Sequence, residues 1–137
     1  MKLSARNQFA GKVIEINEGA VNDVVKVQLP KGQVITSTIT KEAVAELGLT
    51  VGSDVTAIVK ATEVMMSTPE KLSARNKLSG KIIDINRGAV NAIVKVELPS
   101  NVVISSSITL EAVDELDLTV GTEVTAVVKA SEVLIMA

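Results

Sequence analysis

The residues of this chain that could do chemistry fall in four short motifs: Ser4-Ala5-Arg6-Asn7, Gly19-Ala20-Val21-Asn22, Thr40, and Lys60-Ala61-Thr62. Each occurs a second time, as Ser73-Ala74-Arg75-Asn76, Gly88-Ala89-Val90-Asn91, Thr109, and Lys129-Ala130-Ser131. They offer hydroxyls, Asn amides, backbone N–H groups beside small residues, and a few Lys and Arg charges. Fixed donors of this kind can surround a tetrahedral dianion without forming a covalent bond. The chain has no Cys and no His, so zinc sites of the usual kind, thiol nucleophiles, disulfides and imidazole acid–base chemistry are excluded together. No nucleophile and base pair stands out. The expectation is a binding protein without enzymatic activity, cofactor or bare metal cation.

Each motif also has a plain structural role. Ser4 and Asn7 can shape a strand start with Arg6 solvated. Gly19 and Asn22 are ordinary hairpin-turn residues. Lys60 at a strand end can serve solubility alone, and Thr40 and Thr109 suit helix capping. Taken singly, none of the motifs outweighs these roles.

The elements that must position the motifs are repeated as well. Lys2 aligns with Lys71 and the match runs to the C-terminus without a gap, with roughly 42 of 67 pairs identical, so the chain is a tandem duplication. Two domains are expected, 1–68 and 69–137. The joint Ser67-Thr68-Pro69-Glu70 is short and holds a proline, which reads as a tight connection and not a tether.

Within a copy, Val25, Val27 and Leu29 alternate with Lys26 and Gln28, and Val55, Ala57 and Val59 with Thr56 and Ile58. Such period-two runs, broken at Gly19, Pro30-Lys31-Gly32 and Gly52, predict short antiparallel strands. Thr40 to Gly48 is different. A capping Thr, one face made of Ala43, Val44 and Leu47, and a terminal Gly predict a helix of about two turns. Its copy ends on Asp117 in place of Gly48, which predicts a less regular end. About five strands and one short helix per copy describe an all-β chain of two OB-like small barrels. Units this small, with Phe9 as the single aromatic residue, bury little area each, so packing of the copies or association with other chains is expected.

Charges nearly balance, 14 Lys plus Arg against 16 Asp plus Glu. Without a basic face or stacking aromatics, nucleic acid is a poor partner. The polar start, Met1 to Gln8, and the lack of any span-length apolar run point to a cytoplasmic protein with no membrane partner.

Taken together, Ser-Ala-Arg-Asn at the start of each copy, Gly-Ala-Val-Asn at its first turn, Ile-Thr before the helix and Val-Lys-Ala near its end resemble the Mop domain, and the two-copy arrangement resembles the di-Mop molbindins. The likeness covers both copies along nearly their whole length. It implies OB-like barrels, a homotrimer of two-domain chains, and reversible molybdate or tungstate binding at interfaces in molybdenum storage and homeostasis. It also implies one class of site between subunits, formed by Ser4, Ala5, Arg6, Thr40, Lys60 and Ala61, and by Ser73, Ala74, Arg75, Thr109, Lys129 and Ala130. A second class, near a threefold axis, would use Gly19, Ala20 and Asn22, with Gly88, Ala89 and Asn91. Some relatives carry a hydroxyl residue where this chain has Ala43 and Ala112, one potential hydrogen bond fewer. Molybdate and tungstate accept hydrogen bonds and donate none at neutral pH, so a site of donors alone excludes protonated phosphate, and sulfate must be excluded by size. The alternative is an anion-responsive sensor or interaction module acting on a partner protein in trans.

Overall fold

The alternating Val and Ile runs form the strands they predict. The computed structural model describes residues 3–68 and 73–137; Met1 and Lys2 of the polar start, and Pro69 and Glu70 of the joint, lie outside the described residues. In the first repeat the elements are β1 (Asn7–Glu18), β2 (Asn22–Gln28), β3 (Val34–Thr40), α1 (Lys41–Leu47), β4 (Asp54–Val59), a 3-10 turn (Ala61–Glu63) and β5 (Met65–Ser67). The second repeat follows with β6 (Asn76–Arg87), β7 (Asn91–Leu98), β8 (Val102–Thr109), α2 (Leu110–Glu115), β9 (Glu123–Val128), a 3-10 turn (Ala130–Glu132) and β10 (Leu134–Met136).

The chain divides into two compact units that do not coincide with the two repeats. Unit 1 comprises residues 1–59 and 129–137; unit 2 comprises 60–128. The five-stranded sheet of unit 1 has the order β10-β4-β1-β2-β3, and that of unit 2 the order β5-β9-β6-β7-β8. Each unit therefore takes its last strand from the other repeat.

In unit 1 the long β1 serves two partners. Its first half pairs with β4, from Asn7 opposite Val59 to Lys12 opposite Asp54, and its second half with β2, ending at Glu18 opposite Asp23. A bulge between Val13 and Glu15 adds the twist that such a change of partner requires. Gly11 stands at the crossing. A Cβ there would lie 2.5 Å from the Gln28 carbonyl oxygen and 2.8 Å from Val27 Cγ1, so only glycine allows β2 to come this close. Gly80 holds the same place against Glu97 in unit 2.

Val25, Val27 and Ala57 are fully buried and Val13, Ile35, Val55 and Val59 nearly so, the inward set of the alternation. The sheet curls into an OB-like barrel where β3 meets the Ala130–Glu132 turn and β10. There Val133 enters the core, and the buried Ser37 hydroxyl donates to the Val133 carbonyl at 2.6 Å. Unit 2 repeats the arrangement, with Val64 buried and Ser106 donating to the Val64 carbonyl. Ser37→Ala leaves that carbonyl without its donor in a dry place. The expected cost is about 1–3 kcal/mol, read as a lower urea midpoint together with faster amide exchange in β3 and β10 and unchanged exchange in β8. Unaltered stability would show that the hydroxyl does not hold the segment.

The helix ends match the sequence expectation. Thr40 caps α1, accepting from the Ala43 N–H at 3.0 Å, and Gly48 closes it in the left-handed conformation with φ 62°. Thr109 caps α2 in the same way, but α2 stops a residue earlier and passes through Leu116 to Asp117, which takes φ 51° without being glycine. Among the described residues no helix is long and apolar enough to cross a membrane.

Candidate functional site

The expected ligand groups gather at the two ends of the long strand. At one end, the Gly19-Ala20-Val21-Asn22 turn joins β1 to β2, and Asn22 pairs across the ladder with Thr40 at the end of β3. The Lys41 N–H donates to the Val21 carbonyl at 2.9 Å, tying the turn to the start of α1. In unit 2 the Leu110 N–H holds the Val90 carbonyl at the same distance, 2.9 Å, and Asn91 pairs with Thr109. Thr40 and Thr109 spend only an oxygen lone pair on their caps. Both are exposed, and each keeps its O–H to donate outward, so capping and anion contact do not compete.

At the opposite end, Ser4, Ala5 and Arg6 lead into Asn7, which is buried and pairs with Val59. Ser4 and Arg6 are exposed and Ala5 half-buried. Gln8, which sequence reasoning passed over, fixes this segment: its Nε2 donates to the carbonyls of Leu3 at 3.0 Å and Ala5 at 2.9 Å. Ser73, Ala74 and Arg75 precede the buried Asn76, opposite Val128. Lys60 and Lys129 are the exposed residues that follow Val59 and Val128 and open the 3-10 turns, in which Ala61 and Ala130 are buried. Thr40 and Ser4-Ala5-Arg6 are thus not neighbours in register; the whole of β1 separates them. Thr40 is instead brought beside Asn22, a residue of the other expected class.

The two Gly-Ala-Val-Asn turns are identical in sequence but not in surroundings. In unit 1 the Gly19 N–H donates to the Asp23 carboxylate at 3.1 Å. Lys41 Nζ lies 3.2 Å from that carboxylate and 3.2 Å from Glu18. The Asp23 side chain is only 1% exposed. Hydrogen bonding to Asp23 first, and to Glu18 second, holds the Lys41 ammonium above the ordinary lysine range. In unit 2 the corresponding residues are Ala92, Leu110 and Arg87; the Gly88 N–H donates to the Asn91 carbonyl at 2.8 Å, and Arg87 pairs with Asp114 at 3.2 Å. Sequence reasoning missed Asp23. The signal was its phase: it stands two residues before Val25 and four before Val27, on the inward face.

The chain is similar to known proteins along nearly its whole length. The TOBE domain model matches twice, over residues 3–66 and 72–135. The fold superposes on a crystal structure of the cytoplasmic molybdate-binding protein ModG with molybdate bound, at a TM-score of 0.96 and 43% identity, covering 100% of this chain and 99% of that one. The chain belongs to the di-Mop molbindin family. Other relatives are similar in sequence. The molybdenum transport protein ModE of Herbaspirillum seropedicae is 40% identical over 98% of this chain and 51% of its own length. The probable molybdenum-pterin-binding protein of Haemophilus influenzae is 50% identical over 66 residues, which is 48% of this chain and 96% of that protein. This di-Mop chain spans about half the length of the first of these relatives and two lengths of the second.

Proposed function

We propose that this molbindin binds molybdate or tungstate reversibly at subunit interfaces of a homo-oligomer, a trimer of two-repeat chains, and so stores or buffers molybdenum in the cytoplasm without catalysis. The observation that carries this reading is the placement of the donors at opposite ends of β1, in a chain that matches a molybdate-bound protein along its whole length. Twelve residues of strand follow a path of roughly 36 Å, while one tetrahedral anion accepts hydrogen bonds only over about 3 Å. A second chain, bringing its Thr40 end to the Ser4-Ala5-Arg6 end of the first, supplies the complement. Ser4, Arg6, Thr40 and Lys60, and their counterparts Ser73, Arg75, Thr109 and Lys129, would donate to the oxyanion there. Gly19, Ala20 and Asn22, with Gly88, Ala89 and Asn91, would form the second class of site at the turns.

Calorimetric titration with molybdate, tungstate, sulfate and phosphate in parallel tests the proposal. Heat is expected from the first two and not from the last two, with a rise in stability of about 2.7 kcal/mol at a hundredfold excess over Kd. No thermal shift with either molybdate or tungstate would remove it. The match to half of a longer molybdenum transport protein favours a second reading, an anion-responsive module acting on a partner protein. A partner recovered only in the presence of molybdate would select that one.

A further inference from the structure

We propose that the two Gly-Ala-Val-Asn turns are unequal oxyanion sites: Asp23 closes the turn of unit 1 to a dianion, and the turn of unit 2 is the one that fills. This rests on the reading above, that the turns take molybdate.

The turns share one sequence, so any difference in binding must come from their flanks. In unit 1 the flank supplies an anion of its own. The Asp23 carboxylate accepts from the Gly19 N–H and so places a negative charge at the turn's own amide. It is buried, so water cannot screen it from an incoming dianion. Lys41 does not compensate, because its single ammonium is already shared between Asp23 and Glu18. Two carboxylates against one ammonium leave the turn with a net negative charge. In unit 2 the same three positions carry Arg87, Ala92 and Leu110. No carboxylate stands at the turn's own amide, since the Gly88 N–H reaches only the neutral Asn91 carbonyl. Arg87 contacts Asp114 through Nη2, and its planar fork has further N–H donors. The local charge is balanced. In the proposed trimer, where three copies of one turn would meet at an axis, each difference is counted three times.

Exchanging the flanks between repeats tests the assignment by calorimetric titration of the full chain with molybdate. In the Glu18→Arg/Asp23→Ala/Lys41→Leu triple variant, additional molybdate is expected to bind, at an affinity at least about tenfold above that of the wild-type unit 1 turn, since the net negative charge of the flank has been removed. The reciprocal Arg87→Glu/Ala92→Asp/Leu110→Lys variant is expected to lose the turn class of site while keeping the class built on Ser4, Arg6 and their copies. Asp23→Asn, which keeps the acceptor and removes only the charge, guards against misfolding of the triple variant; it is expected to gain binding in the same direction. If molybdate binds all four proteins with the same stoichiometry and affinity, the inequality of the turns is overturned while the oxyanion function stands. If none of them binds molybdate, both fail together.

Discussion

A chain cut after the first repeat, residues 1–68, is expected to fold only by pairing with a second copy of itself. In the full chain, unit 1 is completed by residues 129–137. These supply the pairings Leu134 to Ile58, Ile135 to Ala57 and Met136 to Thr56, the buried Ala130 and Val133, and the carbonyl that Ser37 binds. Removing them uncovers one side of the barrel and exposes an edge of β4, a combination that small units tolerate poorly. The fragment still holds an equivalent segment. Its own Met65, Met66 and Ser67 pair, in the full chain, with Val127, Ala126 and Thr125 of unit 2 in the same register that β10 uses on β4. Two fragments can therefore complete each other by reciprocal exchange, a low-cost route to a dimer. Sedimentation is expected to give an even multiple of the fragment mass, twice for the exchanged pair and six times where such pairs assemble as proposed for the full chain, and the melting temperature to rise with concentration. A folded monomer with concentration-independent melting would show that the segment can turn back onto its own sheet. The Haemophilus influenzae relative, matched over nearly its whole length by 66 residues, is a one-repeat chain to which the same reasoning applies.

Gly11→Ala is expected to abolish most of the stability of unit 1, and Gly80→Ala that of unit 2. The added methyl at Gly11 would meet a backbone carbonyl oxygen, with Val27 Cγ1 also too close. A carbonyl in a ladder cannot rotate away as a side chain does, so β1 and β2 must part at the crossing. Overpacking of this kind costs about 1–3 kcal/mol, with this backbone clash at the upper end. A core of this size supplies only about 3–5 kcal/mol, so the loss is comparable with the whole. Amide exchange in the Gly11→Ala protein is expected to show lost protection in β1 to β4 with protection kept in β6 to β9. Unchanged protection in β1 and β2 would mean that the close crossing is not required.

Much of one unit is legible from local pattern. The Val25, Val27 and Val55, Ala57, Val59 alternations become strands with those side chains inward, and Thr40 and Gly48 end α1 as capping chemistry demands. The replacement of Gly48 by Asp117 shortens and distorts the second helix end. The resemblance carried by the Ser-Ala-Arg-Asn and Gly-Ala-Val-Asn motifs leads to the family that the comparisons establish. Other features are invisible to such patterns. Gln8 holds the Ser4-Ala5-Arg6 segment through two carbonyls, a contact without any periodicity to announce it.

The sequence by itself determined the duplication, the order of strands and helix within each copy, and a donor-only chemistry, because these follow from identity at a fixed offset, side-chain period and the absence of His and Cys. It left open which copy of the last segment completes which barrel. Val64 and Val133, and Ser37 and Ser106, are the same residues in both repeats, so pattern energetics are equal for either pairing and only the tertiary structure decides. The same holds for the charge at the turns. Asp23 and Lys41 are far apart in sequence, and only the register that places Asn22 against Thr40 brings a buried carboxylate and its ammonium to the Gly19 amide.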